Sequence, residues 1–326
     1  MKAKQIINTV LSLSCSIAIL TACTETENEI QPGKKASVGI DASITGEVVT
    51  KADPDYAPLN GNKTIYMYYK NGNNTAGNEK GIYTYAGGWN AAGSETDCIF
   101  WDDLVAIDSK YPFFAVAPKD LANKVEEAVE VNQSTLDNFT NSDLLMAYTD
   151  ATVKQGQVSL NFKHMLAKLT VKVKVDAVSS FSSSSVSIQN AIKEYTVNYT
   201  SSAPTTDKPA TVAVKTGATP TAALTPYTEN TEDGGKTQVY SIILPAQEIS
   251  TSGVKIKTSV VIGSGTTETN AYTYPSAGSG DKVTLVNGTH TTVTLTINGT
   301  TVELNSVTVS NWTQANASGN ITIDKP

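Results

Sequence analysis

The chain has 326 residues, with 31 acidic and 24 basic side chains and a formal net charge of −7. Every basic side chain is lysine, so the bidentate forks that grip phosphate or carboxylate are missing. With a negative surface as well, nucleic acid is excluded as a partner.

The first residues read as a secretory signal. Lys2 and Lys4 precede an apolar stretch from Val10 to Leu20, and small residues follow up to Cys23. The apolar stretch is too short to span a bilayer. Leu20-Thr21-Ala22-Cys23 resembles a bacterial lipobox. That resemblance implies removal of residues 1–22 and acylation of the Cys23 thiol, with the chains anchoring at roughly 0.8 kcal/mol per buried CH₂. In the tether, residues 23–35, the alternating Glu25, Glu27 and Glu29 resemble the acidic leader that directs lipoproteins of some Gram-negative anaerobes to the cell surface. Beyond residue 30 no apolar run is long enough for a membrane helix. Of three cysteines, Cys15 falls in the signal and Cys23 at the anchor. Cys98, in "DCIFWDD", is read as a structural thiol with no intrachain partner.

The body of the chain alternates. "ASVGIDASI" (36–44) puts Val38, Ile40, Ala42 and Ile44 on one face, and Lys51 follows among turn formers in "VVTKADPDYAP" (48–58). "TIYMYY" (64–69) places Tyr66 and Tyr68 opposite Ile65, Met67 and Tyr69. These rings, with Tyr83, Tyr85 and Trp89, are read as core packing in preference to a glycan platform. Asp102 and Asp103, adjacent on a strand, would point to opposite faces and so cannot flank one glycosidic bond. "LANKVEEAVEV" (121–131) fits a helix or a strand end. "QVSLNF" (157–162) and "KLTVKVKV" (168–175) are half-buried strands, the second with Leu169, Val171, Val173 and Val175 inward. "VSSFSSSS" (178–185) reads as a linker or loop, and composition shifts from tyrosine-rich to Thr/Ser/Val-rich near residue 176. "QVYSIIL" (238–244), "VKIKTSVVI" (254–262) and "TTVTLTI" (291–297) continue the alternation. Turn pairs such as Gly234-Gly235, Asn287-Gly288 and Asn298-Gly299 separate the strands.

Many short strands with such turns define an all-β sandwich class. The expected organisation is two β-sandwich domains, 36–176 and 177–326, with Phe162, Leu169, Val171 and Val173 in the core of the first.

Little points to chemistry. His164 and His290 lack companion ligands at metal spacing, and no nucleophile-elbow or phosphate-loop motif occurs. The oxygen-rich "NGNNTAGNEKG" (71–81) lacks the acidic spacing of a calcium loop and is read as a hairpin tip. No catalytic residue, metal or cofactor is expected.

The segment "SDLLMAYTDATVKQGQVSLNFKHMLAKLTVKVKV" (142–175) is less generic. It resembles the fimbrillin (Mfa-like) family, centred on Phe162, His164, Ala167, Lys168 and Leu169. "IFW…YPFFAVAP" (99–118) and "VTVSNWTQANASGNITI" (307–323) agree with it. The resemblance implies two tandem transthyretin-like sandwiches in an outer-membrane lipoprotein that builds surface fimbriae with other fimbrial subunits. It also implies an assembly route. A protease removes the N-terminal strand, and a neighbour's strand fills the groove left by Val38, Ile40, Ala42 and Ile44. Lys51 stands where many relatives have arginine, so only a lysine-capable protease would cut here. The motif residues themselves are read as structural, with His164 satisfying backbone groups in a turn. The alternatives are a monomeric surface lipoprotein that binds a host or bacterial glycan or protein and, further off, a surface hydrolase.

Overall fold

Period-two alternation dominates the backbone, because each strand buries one row of side chains and leaves the other to water or to a second layer. The structure is a computed structural model and describes residues 35–44, 64–69, 80–85, 88–91, 95–121, 125–152, 154, 156–175, 181–198, 209–262, 270–298, 301–312 and 321–322. The signal peptide, Cys23, Lys51 and residue 176 lie outside them.

The first strands are β1 (Gly39–Ile44), β2 (Thr64–Tyr69), β3 (Lys80–Tyr85), β4 (Trp89–Ala91), β5 (Tyr111–Ala117), β6 (Glu126–Ala128), β7 (Leu145–Ala151) and β8 (Gln157–His164). All but β6 join one seven-stranded sheet in the order β1-β8-β7-β5-β2-β3-β4. The sheet curls until its two edge strands, β1 and β4, lie side by side. Inside the curl Ile65, Met67, Phe113, Leu160 and Phe162 form a buried core, capped by Ile99, Trp101 and Leu104. Tyr68, Phe114, Val116 and Met146 point from the other face into a second core. Both faces of β2 are thus buried, which accounts for its tyrosines.

The remaining strands are β9 (Ala167–Val175), β10 (Phe181–Gln189), β11 (Glu194–Asn198), β12 (Thr211–Val214), β13 (Tyr227–Glu232), β14 (Thr237–Leu244), β15 (Glu248–Ile249), β16 (Lys255–Ile262), β17 (Asn270–Tyr274), β18 (Val283–Thr284), β19 (Thr289–Asn298), β20 (Thr301–Asn311) and β21 (Ile321–Thr322). A six-stranded sheet, β13-β14-β9-β19-β20-β21, shares the second core with a three-stranded sheet, β10-β16-β17. The small sheets β12-β11-β6 and β15-β18 complete the set. The α-helix α1 (Leu136–Asn141) is capped by Thr135, whose hydroxyl accepts from the Asn138 N–H at 3.3 Å. Six residues cannot sustain a helix alone; Phe139 holds it by stacking on Tyr227 with centroids 5.5 Å apart.

Several local expectations shift. The alternation of β9 is as read, with Leu169, Val171, Val173 and Val175 buried. Its partners, however, are β14 and, in parallel, β19. Leu169, Val171 and Val173 therefore belong to the second core, while Phe162 belongs to the first. The chain changes sheets between His164 and Ala167. Residues 181–185 of the serine-rich stretch form a strand, because β10 pairs along its length with β16. Asp102 and Asp103 lie in a 3₁₀ turn, Trp101–Asp103, and not on a strand. Within 121–131 the outcome is the short strand β6, paired with β11.

Candidate functional site

Among the described residues β1 has one hydrogen-bonded neighbour in its sheet. It runs parallel to β8, in register from Gly39 with Gln157 to Ile44 with Phe162. Parallel pairing is slightly weaker per residue than antiparallel, so the inward side chains carry much of the attachment. Val38, Ile40 and Ile44 are buried, Ala42 is half-buried against the same core, and Asp41 and Ser43 are exposed. At the start of the strand the Val38 N–H donates to the Ile99 carbonyl at 2.8 Å. The Tyr83 hydroxyl donates to the Val38 carbonyl at 2.7 Å. Burial pushes that phenol well above its ordinary pKa, and the charge of Cys98 adds to the effect. Tyr83 can lie there because residue 81 is glycine: a Cβ would come within 2.7 Å of its ring. Trp89 and Ala91 of β4 pack on the same core from the side opposite β8. Tyr85 and Trp89 meet edge to face at 5.4 Å and are half-buried.

The motif residues sit where the chain passes from one core to the other. Phe162 is fully buried in the first core, and Ala167 and Leu169 are fully buried in the second. His164 ends β8, opposite Leu145 of β7. Its Nδ1 donates to a side chain, the buried Asp143 carboxylate, at 3.0 Å. The Trp312 indole stacks on the imidazole, with centroids 3.9 Å apart and planes 6° from parallel. Behind the turn, the Met165 N–H donates to Leu144 and the Gly288 N–H to Leu166, both at 2.8 Å.

Lys168 leads onto the outer face of the six-stranded sheet. Its ammonium lies 3.1 Å from Glu229 and 5.7 Å from the Phe139 ring centroid. Lys172 binds both oxygens of Glu232, at 2.9 and 2.7 Å. Between the lysines the His290 Nε2 meets the Thr170 hydroxyl at 2.8 Å, and Thr170 meets Ser241 at 2.6 Å. Burial, then the charge of Lys168, hold the His290 pKa down at about 4, Lys172 acting the same way and Glu229 against it. Burial works to raise the Glu229 carboxyl, but Lys168 and a hydrogen bond from Ser241 bring it below its usual value. The outer lysines are thus matched by carboxylates in place. Among the described residues no group of three or more His, Cys, Asp or Glu side chains gathers as a metal site.

Sequence reading missed two glutamines. The fully buried Gln133 amide binds the backbone of Ile243, accepting from its N–H at 2.9 Å and donating to its carbonyl at 3.0 Å. Gln247 does the same for Ile192, at 3.0 and 3.1 Å. No local pattern marks a glutamine as a substitute strand.

A curled sheet completed by a short parallel edge strand, joined to a β-sandwich, defines a class of two-core all-β proteins. The chain belongs to the fimbrillin-like family, whose model matches residues 50–312. It is similar to a candidate cell adhesion protein from Bacteroides uniformis ATCC 8492, at 23% identity, covering 85% of this chain and 99% of that one, with a TM-score of 0.56. Another candidate cell adhesion protein, from Bacteroides ovatus ATCC 8483, is 17% identical, with 86% and 98% covered and a TM-score of 0.59. No curated protein sequence matches the chain.

Proposed function

We propose that the protein is a structural subunit or adhesin of a surface fimbria, exported as an outer-membrane lipoprotein acylated at Cys23. Assembly begins with a cut after Lys51, which separates β1 from the rest of the chain without breaking its contacts. β1 then leaves, and a strand from a neighbouring subunit enters beside β8, running in the same direction. Strand addition of this kind is a general recognition mode.

The observation that carries this reading is the placement of β1. It is a six-residue edge strand with a single ladder partner among the described residues, and it buries two aliphatic side chains of its own, Ile40 and Ile44, with Val38 buried just before it. Burying Val38, Ile40 and Ile44 contributes roughly 5–9 kcal/mol gross, and ordering an incoming strand offsets a large share. An emptied groove exposes that apolar surface and a row of unpaired backbone groups on β8, a strong incentive to refill. Family membership and the fold likeness to candidate cell adhesion proteins support the same reading.

Limited digestion with a lysine-specific protease, followed by size analysis, tests it. Wild-type protein is expected to form oligomers after digestion, and Lys51→Gln to stay monomeric with its fold intact. Equal oligomerisation of the two would refute the mechanism.

A further inference from the structure

We infer that the stack of Trp312 on His164 couples the seat of β1 to the C-terminal strand β20, so that loosening either loosens the other. The last β1–β8 pair, Ile44 with Phe162, lies two residues before His164 on the same strand. The imidazole is held edgewise by Asp143 at 3.0 Å and facewise by the indole at 3.9 Å. From Trp312 the contacts return to their origin. Its N–H donates to the Gly288 carbonyl at 3.0 Å, and the Gly288 N–H donates to Leu166, two residues beyond His164. Gly288 has a φ of +73°, and a Cβ there would stand 3.3 Å from the His164 carbonyl. A side chain at that turn would therefore push on the end of β8.

These contacts form a closed ring through three segments: the β8–β9 turn, the β18–β19 turn and the end of β20. His164 and Trp312 are both buried, and tightly packed rings of this kind exist in discrete packed or open arrangements and do not deform by degrees. On one side the ring steadies the strand that holds β1. On the other it fixes the end of β20, whose outer edge is paired, among the described residues, at Thr308 and Val309 with the two-residue β21. Because coupling is reciprocal, a seated β1 keeps the C-terminal strand docked, and a docked Trp312 keeps β1 seated. The consequence for assembly rests on the strand-exchange reading: a subunit would keep its C-terminal strand closed until its own β1 has gone. The coupling itself stands on the geometry alone.

Hydrogen exchange read by mass spectrometry on the full-length, uncleaved protein tests it without any protease or oligomer. Trp312→Leu is expected to accelerate exchange about fivefold or more in residues 39–44 and 157–164 as well as in 301–312. Trp312→Phe, which keeps a ring on His164, is expected to stay close to wild type. Acceleration confined to 301–312 overturns the inference. So does uniform acceleration that includes β10 and β16, which would report only a general loss of stability. Should Trp312→Leu fail to fold, Asp143→Asn takes its place. Faster exchange in both 39–44 and 301–312 supports the coupling, and faster exchange in one alone overturns it. Failure of oligomerisation would leave these results unchanged.

Discussion

Gln133→Met tests how the edge of β14 is closed. The antiparallel register of Tyr227 with Ser241, continued, would bring Thr225 opposite Ile243. The Gln133 side chain stands there in its place, and its own N–H donates to the Thr225 carbonyl at 2.8 Å. Methionine keeps the length and most of the volume but offers Ile243 neither a donor nor an acceptor. Both backbone groups of Ile243 would then be buried without partners, at about 1–3 kcal/mol each. A total loss of about 2–6 kcal/mol follows, which lowers the melting temperature by roughly 5–20 °C for a unit of this size. Urea unfolding of wild type, Gln133→Met and Gln133→Ala separates hydrogen bonding from packing. The two variants should lose similar amounts. If Gln133→Met stays within about 0.5 kcal/mol of wild type, the amide acts by filling space and the reasoning fails.

Acid titration gives a second test. The His290 imidazole is kept neutral in the fold down to about pH 4, while the unfolded chain takes up its proton near pH 6.5. Stability should therefore be full above pH 6.5 and fall by about 3 kcal/mol on the way to pH 4; His290→Asn should flatten that part of the profile in urea melts. Phe162→Ala, at a fully buried site beside Ile44, should cost about 3–5 kcal/mol in the same melts. Cys23→Ala should abolish labelling with a fatty-acid analogue and release the protein from membranes.

Much of the fold is legible because alternation reports which side chains of a strand face a core. The β9 sequence shows this: its lysines lie on one face, together with a buried Thr170, and its aliphatic residues lie on the other, inward face. Alternation does not report which sheet a strand joins. Phe162 and Leu169, seven positions apart in one motif, enter different cores because β14 and β19 claim β9. Those partners lie far along the chain. The serine-rich β10 has weak intrinsic strand preference, and pairing with β16 overrides it. Helix α1 is too short for periodicity to register, and its cap at Thr135 shows only in the folded chain. At the site, the alternation of residues 36–44 is local and visible. The ring through His164, Gly288 and Trp312 is not, since its members come from separate segments and only the folded chain brings them together.

On the proposed assembly route β1 is replaced, not merely cut loose. Mass spectrometry of gel-filtered material after lysine-specific digestion tests this most directly. In cleaved monomers the segment "ASVGIDASITGEVVTK" (36–51) should remain bound in one-to-one ratio, because its contacts with β8 survive the cut. In oligomers it should be absent, its place taken by a strand from the adjoining subunit. Oligomers that retain residues 36–51 in one-to-one ratio would contradict the account.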